Sequence, residues 1–146
     1  TAIGALNYFI EVTKKRVSTY SGESVTDLQN LQIHISNSSA KIDTAGLVLR
    51  TNTNEALTIA ESGYLPSESL KVKWRRDCAF AVRLCNDAIT TLFEASGGSA
   101  LFNKNLMSRY FRDIKAISSH IAYNTDVSGI TYGRYRLGLD KNGMDY

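Results

Sequence analysis

Proline occurs once in these 146 residues, at Pro66, and cysteine and histidine occur twice each. With one proline, long helices can run without losing a hydrogen bond or meeting a ring clash. Two cysteines cannot build the disulfide framework that staples small secreted domains. Cys78 and Cys85 lie seven residues apart on a helical repeat. Two turns of helix separate such positions by about 10 Å, too far for a disulfide. Both are expected to be small buried residues of a reducing, cytoplasmic protein. His34 and His120 complete no ligand pair of the Glu-x-x-His kind, and no Cys-x-x-Cys occurs, so no metal is expected. No stretch of about 18 apolar residues is present, so no membrane span is expected. The net charge of +3 is too mild to call for nucleic acid as a partner. Strand signals are poor.

What remains is an ordinary globular composition. Apolar residues make up 43% and charged residues 21%, which argues against disorder and for one domain with a sound core. The opening Thr1-Ala2-Ile3-Gly4-Ala5-Leu6 reads as a helix already under way, which suggests a domain of a longer chain of about 400 residues.

Four segments show helical periodicity. The first is expected from Ala2 to Tyr20, with Ile3, Leu6, Ile10 and Val17 on one face and Ser21-Gly22 as its stop. The second runs from Thr26 to Ser62, with Leu28, Leu31, Ile35, Ile42, Ala45 and Leu49 recurring and Thr26 or Asp27 as cap. Gly63-Tyr64-Leu65-Pro66 breaks it. The third, Ser67 to Ala95, carries a seam of Trp74, Cys78, Ala81, Cys85, Ala88 and Leu92. Ser96-Gly97-Gly98-Ser99 then turns the chain. The fourth, Asn103 to Tyr123, takes Asn103 as its N-cap and Leu106, Tyr110, Ile114, Ile117 and Ile121 as its stripe, with Arg109, Asp113 and His120 beside it. The tail from Asn124 onward, rich in Gly and Tyr, reads as a loop or arm. The expected fold is all-α, an antiparallel four-helix bundle with an irregular tail. That architecture names no function by itself.

His120 is the candidate for proton chemistry, since an imidazole beside a bundle interior can donate, accept or relay a proton near neutral pH. The plainer alternative is a histidine satisfied by its neighbours. His34, among Gln32, Ser36 and Asn37, is expected on a solvated face. Cys78 and Cys85 are weak nucleophiles in an apolar seam that disfavours the thiolate. Gly97-Gly98 either brings backbone amides close to an anion or simply turns the chain. The basic runs Lys14-Lys15-Arg16 and Lys71 to Arg76 either meet phosphates or form solvated faces over aliphatic stems.

Arg16, Tyr20, Gly22 and Gln29 come in that order. Later, Arg112-Asp113 begins fifteen residues after Gly97 of the Gly97-Gly98 pair. This order and spacing resemble the C-terminal helical domain of the acyl-CoA dehydrogenase superfamily. The resemblance implies that Arg16, Tyr20 and Gln29 reach the flavin of a neighbouring subunit, with Arg16 on a phosphate. It implies that Ser96, Gly97, Gly98 and Ser99 approach the flavin tail. Arg112 and Asp113 are expected to form an ion pair that orients the histidine's helix. Many acyl-CoA dehydrogenases place a catalytic Glu eight residues after the Asp, followed by Gly-Thr. Here Ile121-Ala122-Tyr123 stands there, and an isoleucine cannot remove a proton. His120, one residue earlier, is similar to the two-component flavin-dependent monooxygenases built on the same fold, as are Tyr132-Gly133-Arg134 and Leu137-Gly138-Leu139. Glu94 replaces the family's Gln before Gly-Gly, an awkward neighbour for a nucleotide phosphate, which leaves FMN and FAD equally open.

The resemblance implies a domain of the oxygenase component of such a monooxygenase, inactive by itself. A separate flavin reductase would supply reduced FMN or FADH2. The oxygenase would form a flavin C4a-hydroperoxide with O2 and hydroxylate a small phenolic substrate, with His120 near the reacting oxygens. Flavin shared between protomers implies a homo-oligomer, a tetramer. The rivals are an acyl-CoA dehydrogenase-like flavoprotein with its base elsewhere, and a non-enzymatic helical interaction or nucleic-acid-binding bundle using Lys71 to Arg76.

Overall fold

The computed structural model describes residues 1–18, 22 and 24–139. Among them the chain forms five α-helices: α1 (Ala2–Lys15), α2 (Gln29–Glu61), α3 (Glu68–Ala95), α4 (Leu106–Ser118) and α5 (Thr125–Arg136). Short 3-10 turns lie at Val25–Asp27, Gly98–Leu101 and Ile121–Tyr123. The all-α class is as expected; a fifth helix is not.

Helix ends follow local chemistry more closely than apolar spacing. α1 stops at Lys15, before the expected Ser21-Gly22. Arg16 turns extended (φ −85°, ψ 136°), and β-branched Val17 forms an antiparallel bridge with Ser24. Gly22 does adopt a left-handed φ of 70°, but in the connection that follows; Ser21 lies outside the described residues. Thr26 and Asp27 do not cap α2. They belong to the 3-10 turn, whose first amides are served by Ser24 Oγ accepting from the Thr26 N–H at 3.3 Å. The stop at Gly63–Pro66 holds, and Ser67 caps α3 by accepting the Leu70 N–H at 3.3 Å. α4 is capped by Asn105, not Asn103: Asn105 Oδ1 accepts the Met107 N–H at 2.9 Å. Asn103 instead accepts from Arg112 Nη1 at 3.3 Å.

The tail is helical because it carries a complete start and stop. Asn124 Oδ1 accepts the N–H groups of Asp126 and Val127 at 2.9 and 3.0 Å, and Asp126 faces the positive helix end. At the other end Gly138 sits at φ 67°, with its N–H on the Tyr135 carbonyl and the Leu139 N–H on Arg134, the pairing of a Schellman stop. Leu137-Gly138-Leu139 is therefore a helix terminator. Gly129 and Gly133 inside α5 erase the apolar stripe that periodicity looks for.

The chain divides into two compact units. One comprises Thr1–Asp43 with Leu84–Ala116. Its core is Ala5, Phe9, Val25, Leu31, Ile89, Leu92, Ala100, Met107 and Ile114. Phe93 and Phe111 stack beside it with ring centroids 4.2 Å apart. The fourth stripe is rotated from expectation: Met107, Ser108 and Ile114 are the buried residues of α4, while Leu106 and Ile117 are exposed. Ile121 lies beyond the helix and is also exposed.

The other unit comprises Thr44–Arg83 and the chain from Ile117 onward. It buries small residues, Ala45, Ala79 and Ala81, and is tied by polar contacts. Glu55 accepts from Lys73 Nζ and Trp74 Nε1, both at 2.7 Å. Those two hydrogen bonds hold its carboxyl below the usual range. Asn52 donates to Asp77 at 3.2 Å, and Asp77 accepts from Arg76 Nε at 2.8 Å. The Arg76 guanidinium lies 4.0 Å from the Tyr132 ring centroid, which ties α5 to α3.

Candidate functional site

Two of the expected site residues, far apart in sequence, meet at the C-terminal end of α3. Arg16 leaves α1 extended and donates from Nη1 to the Ala95 carbonyl at 3.4 Å. The negative end of the α3 dipole favours a cation there. Its Nη2 lies 3.6 Å from where a Cβ on Gly97 would stand. Arg16, Gly97, Gly98 and Ser99 are all exposed.

The turn around Gly97 is tied by hydrogen bonds on both sides. Gly97 sits at φ 72°, ψ −169°, a conformation essentially reserved for glycine. The Ser96 hydroxyl donates to the Leu92 carbonyl at 2.7 Å, and the Gly97 N–H closes on Glu94 at 3.2 Å. Asn105 ties the far side by donating to the Ser99 carbonyl at 3.0 Å while its Oδ1 accepts from the Tyr8 hydroxyl at 3.3 Å. Gly98, by contrast, has open space around it: nothing lies within 4 Å of a Cβ built there. It opens a 3-10 turn, so the first amides of that turn lack intrahelical partners. An exposed guanidinium beside a glycine backbone fits an anionic group. Glu94 is exposed on the preceding turn, and Gln29 is exposed at the first position of α2. Tyr20 lies outside the described residues.

His120 is not within a helix or an apolar interior. α4 ends at Ser118, where consecutive serines favour leaving the helix. His120 caps the next 3-10 turn (φ −73°, ψ 135°), with Nδ1 accepting the Ala122 N–H at 3.2 Å. Its ring lies 5.9 Å from that of Tyr123, tilted by 53°. It is exposed and belongs to the second unit, whereas Arg16 and Gly97 belong to the first. His34 is half-buried on α2.

The expected Arg112–Asp113 ion pair is not formed. Each of the two side chains is engaged elsewhere. Arg112 donates to Ser108 Oγ at 2.6 Å and to Asn103, while Asp113 pairs with Arg109 at 3.9 Å. Of the basic run in α3, Lys73 is spent on Glu55 and Asn52, and Arg76 on Asp77 and the Tyr132 ring. Cys78 and Cys85 are free thiols, half-buried; burial pushes both thiols up, and at Cys78 the charge of Asp77 adds to it. Among the described residues no three His, Cys, Asp or Glu side chains gather as a metal site, and no helix is long and apolar enough to cross a membrane.

Sequence reasoning missed Asn105, which braces the Gly97 turn, and the Arg76–Tyr132 contact. A signal for the first was present, since Asn105 stands two residues before Met107, whose amide it caps. The second needs α5, whose Asn124, Asp126 and Gly138 mark its ends.

Comparison with known proteins places this geometry in a family. The family described as acyl-CoA dehydrogenase, C-terminal domain, matches residues 1–125. The oxygenase subunit HsaA, a flavin-dependent monooxygenase of Rhodococcus jostii, is 30% identical over 139 residues, 94% of this chain and 36% of its own length. The oxygenase component of p-hydroxyphenylacetate 3-hydroxylase from Acinetobacter baumannii is 24% identical over 132 residues, 90% of this chain and 31% of its own. The crystal structure of 3-HSA hydroxylase from Rhodococcus sp. RHA1 aligns with a TM-score of 0.87 and 29% identity, over 98% of this chain and 37% of that one. The chain spans about a third of the length of these relatives. With the family match running from α1 through the start of α5, the chain belongs to the acyl-CoA dehydrogenase C-terminal domain family.

Proposed function

We propose that the chain is the C-terminal domain of the oxygenase component of a two-component flavin-dependent monooxygenase acting on a phenolic substrate. The observation that carries the reading is the pair His120-Ile121: the position of the family's carboxylate base is an isoleucine, and a histidine with an exposed ring precedes it. The two curated relatives described above, both named as oxygenase components, support the same branch.

Reduced flavin, when bound, supplies the electrons with which O2 is activated, so that one oxygen atom enters the ring and the other leaves as water. The residues of this chain hold and orient. Arg16 pairs with a flavin phosphate, and the glycine backbone at Gly97 and Gly98 lets the flavin tail approach without a side chain in the way. Ser96 and Ser99 shape that turn; Gln29, at the first position of α2, and Tyr20 contribute further contacts to the flavin. His120 serves at the substrate hydroxyl or the reacting oxygen. Either reduced FMN or FADH2 suits this donor set. A separate reductase delivers the flavin, the oxygenase assembles as a tetramer with flavin shared between protomers, and the protein works in the cytoplasm.

The test is anaerobic titration of the full chain with reduced FMN and with FADH2. Arg16→Ala weakens the preferred flavin by about 10- to 100-fold, the worth of a charged hydrogen bond, while Lys14→Ala leaves it unchanged. Equal binding by both variants removes the flavin role of Arg16. Flavin bleaching by an acyl-CoA instead turns the reading toward an acyl-CoA dehydrogenase-like flavoprotein.

A further inference from the structure

The turn that carries His120 also decides which of its nitrogens is available. Nδ1 accepts the Ala122 N–H, and Tyr123 lies against the ring. An imidazole nitrogen that accepts a hydrogen bond carries no proton, so in the neutral ring the proton is on Nε2. The one lone pair that a neutral imidazole has is then already engaged by the backbone. What faces outward is a donor. The backbone of the 3-10 turn thereby favours one tautomer and sets the direction of the ring.

We propose that His120 works from Nε2 as a hydrogen-bond donor to an oxygen atom of the reaction, not as the base that takes the phenol's proton, and that the Ala122 N–H is the group that sets this. The identity of the oxygen rests on the monooxygenase reading; the tautomer does not. The two uses of the histidine make different demands on the ring. A base must present a free lone pair, and here that lone pair is engaged by the Ala122 N–H. A donor at Nε2 strengthens as negative charge builds on its oxygen, which is where a preorganised hydrogen bond contributes most.

The full chain labelled with [15N]histidine tests the tautomer directly, with the His120 resonances identified as those lost in His120→Asn. The expected spectrum of the neutral ring has Nδ1 unprotonated and Nε2 protonated. Two variants then divide the ring's functions. Asn keeps an acceptor at the Nδ1 position and so keeps the cap, but has nothing at Nε2. Gln places an amide N–H near the Nε2 position and gives up the cap. Hydroxylated product per flavin oxidised is expected to stay at least about tenfold higher in Gln than in Asn, out of a total effect of about 10²-fold or more. Urea midpoints should run the other way, with Asn the more stable. Replacing the phenol by a more acidic fluorinated phenol should not rescue Asn. A proton on Nδ1 overturns the proposal whatever the activities. So do equal losses in the two variants, or rescue of Asn by the acidic phenol, since both are the behaviour of a base. An Nε2-protonated ring in a wild-type chain that forms no product overturns the donor role by refuting the reading it rests on.

Discussion

Alanine substitutions at Gly97 and Gly98 should have opposite effects, although the two glycines are adjacent. At Gly97 the backbone holds φ 72° and ψ −169°. A side chain there is strained wherever its Cβ points, at a cost of about 1–3 kcal/mol for a residue forced into such a region. Packing adds little, since the nearest atom to the new Cβ would be Arg16 Nη2 at 3.6 Å, ordinary contact distance. At Gly98 the φ is unremarkable and nothing lies within 4 Å. Alanine there reduces the freedom of the unfolded chain and should stabilise by about 0.4–1 kcal/mol. The two variants should therefore differ by about 1.5–4 kcal/mol in urea unfolding of the full chain, with midpoints moving and the slope unchanged. If Gly98 is where the flavin backbone approach occurs, Gly98→Ala should lose flavin affinity while gaining stability. Equal midpoints for the two variants would refute the conformational argument. A destabilised Gly98→Ala with intact binding would refute the assignment of the approach to Gly98.

Three further outcomes follow from the packing. Leu92→Ala and Met107→Ala, each emptying a fully buried site in the first unit, should each cost about 2–5 kcal/mol in urea unfolding. Gly4→Ala places a Cβ 2.9 Å from the Tyr110 hydroxyl and should destabilise by about 1–3 kcal/mol. Adding Tyr110→Phe, which removes that oxygen, should recover part of the loss. Glu55 has its pKa lowered by hydrogen bonds from Lys73 and then Trp74. A carboxylate depressed on folding contributes stability above its ordinary value of 4.5 and loses it as pH falls through the lower folded value. Wild type should therefore be the more stable protein at neutral pH, and its advantage over Glu55→Gln should vanish on acidification; a constant difference down to acid pH would contradict the assignment.

Much of the fold was legible because α2 and α3 bury apolar residues at regular spacing, and Pro66 with Gly63 marks a break; the stripe of α1 was misread, since Ile3 and Val17 are exposed and Ala5, Phe9 and Thr13 are the residues it buries. The ends were less legible. Asn103 and Asn105 look alike to a reader of sequence, and which one caps α4 depends on which amide lies within reach of Oδ1. The stripe of α4 was read a fraction of a turn off, because Leu106 and Ile117 are apolar yet exposed, while Ser108 is polar yet buried. α5 was missed because two glycines hid it, although its caps were on view. For the candidate site, residue order and spacing pointed to Arg16 and the Gly97 turn, and the fold brings these two together. The same spacing placed His120 on a helix face, and the serines ahead of it end that helix first. The partner of Asp113 was misassigned because Arg112 turns to Ser108 and Asn103, and Arg109, one turn before Asp113, takes the pairing.

Under 18O2, with reduced flavin and a phenolic substrate, the full-length protein should yield a hydroxylated product carrying one labelled oxygen atom per flavin oxidised, and His120→Asn should divert most of the flavin's electrons to hydrogen peroxide. Quantitative peroxide from the wild type, with no label in any phenol and flavin reduction by an acyl-CoA in its place, would contradict the account.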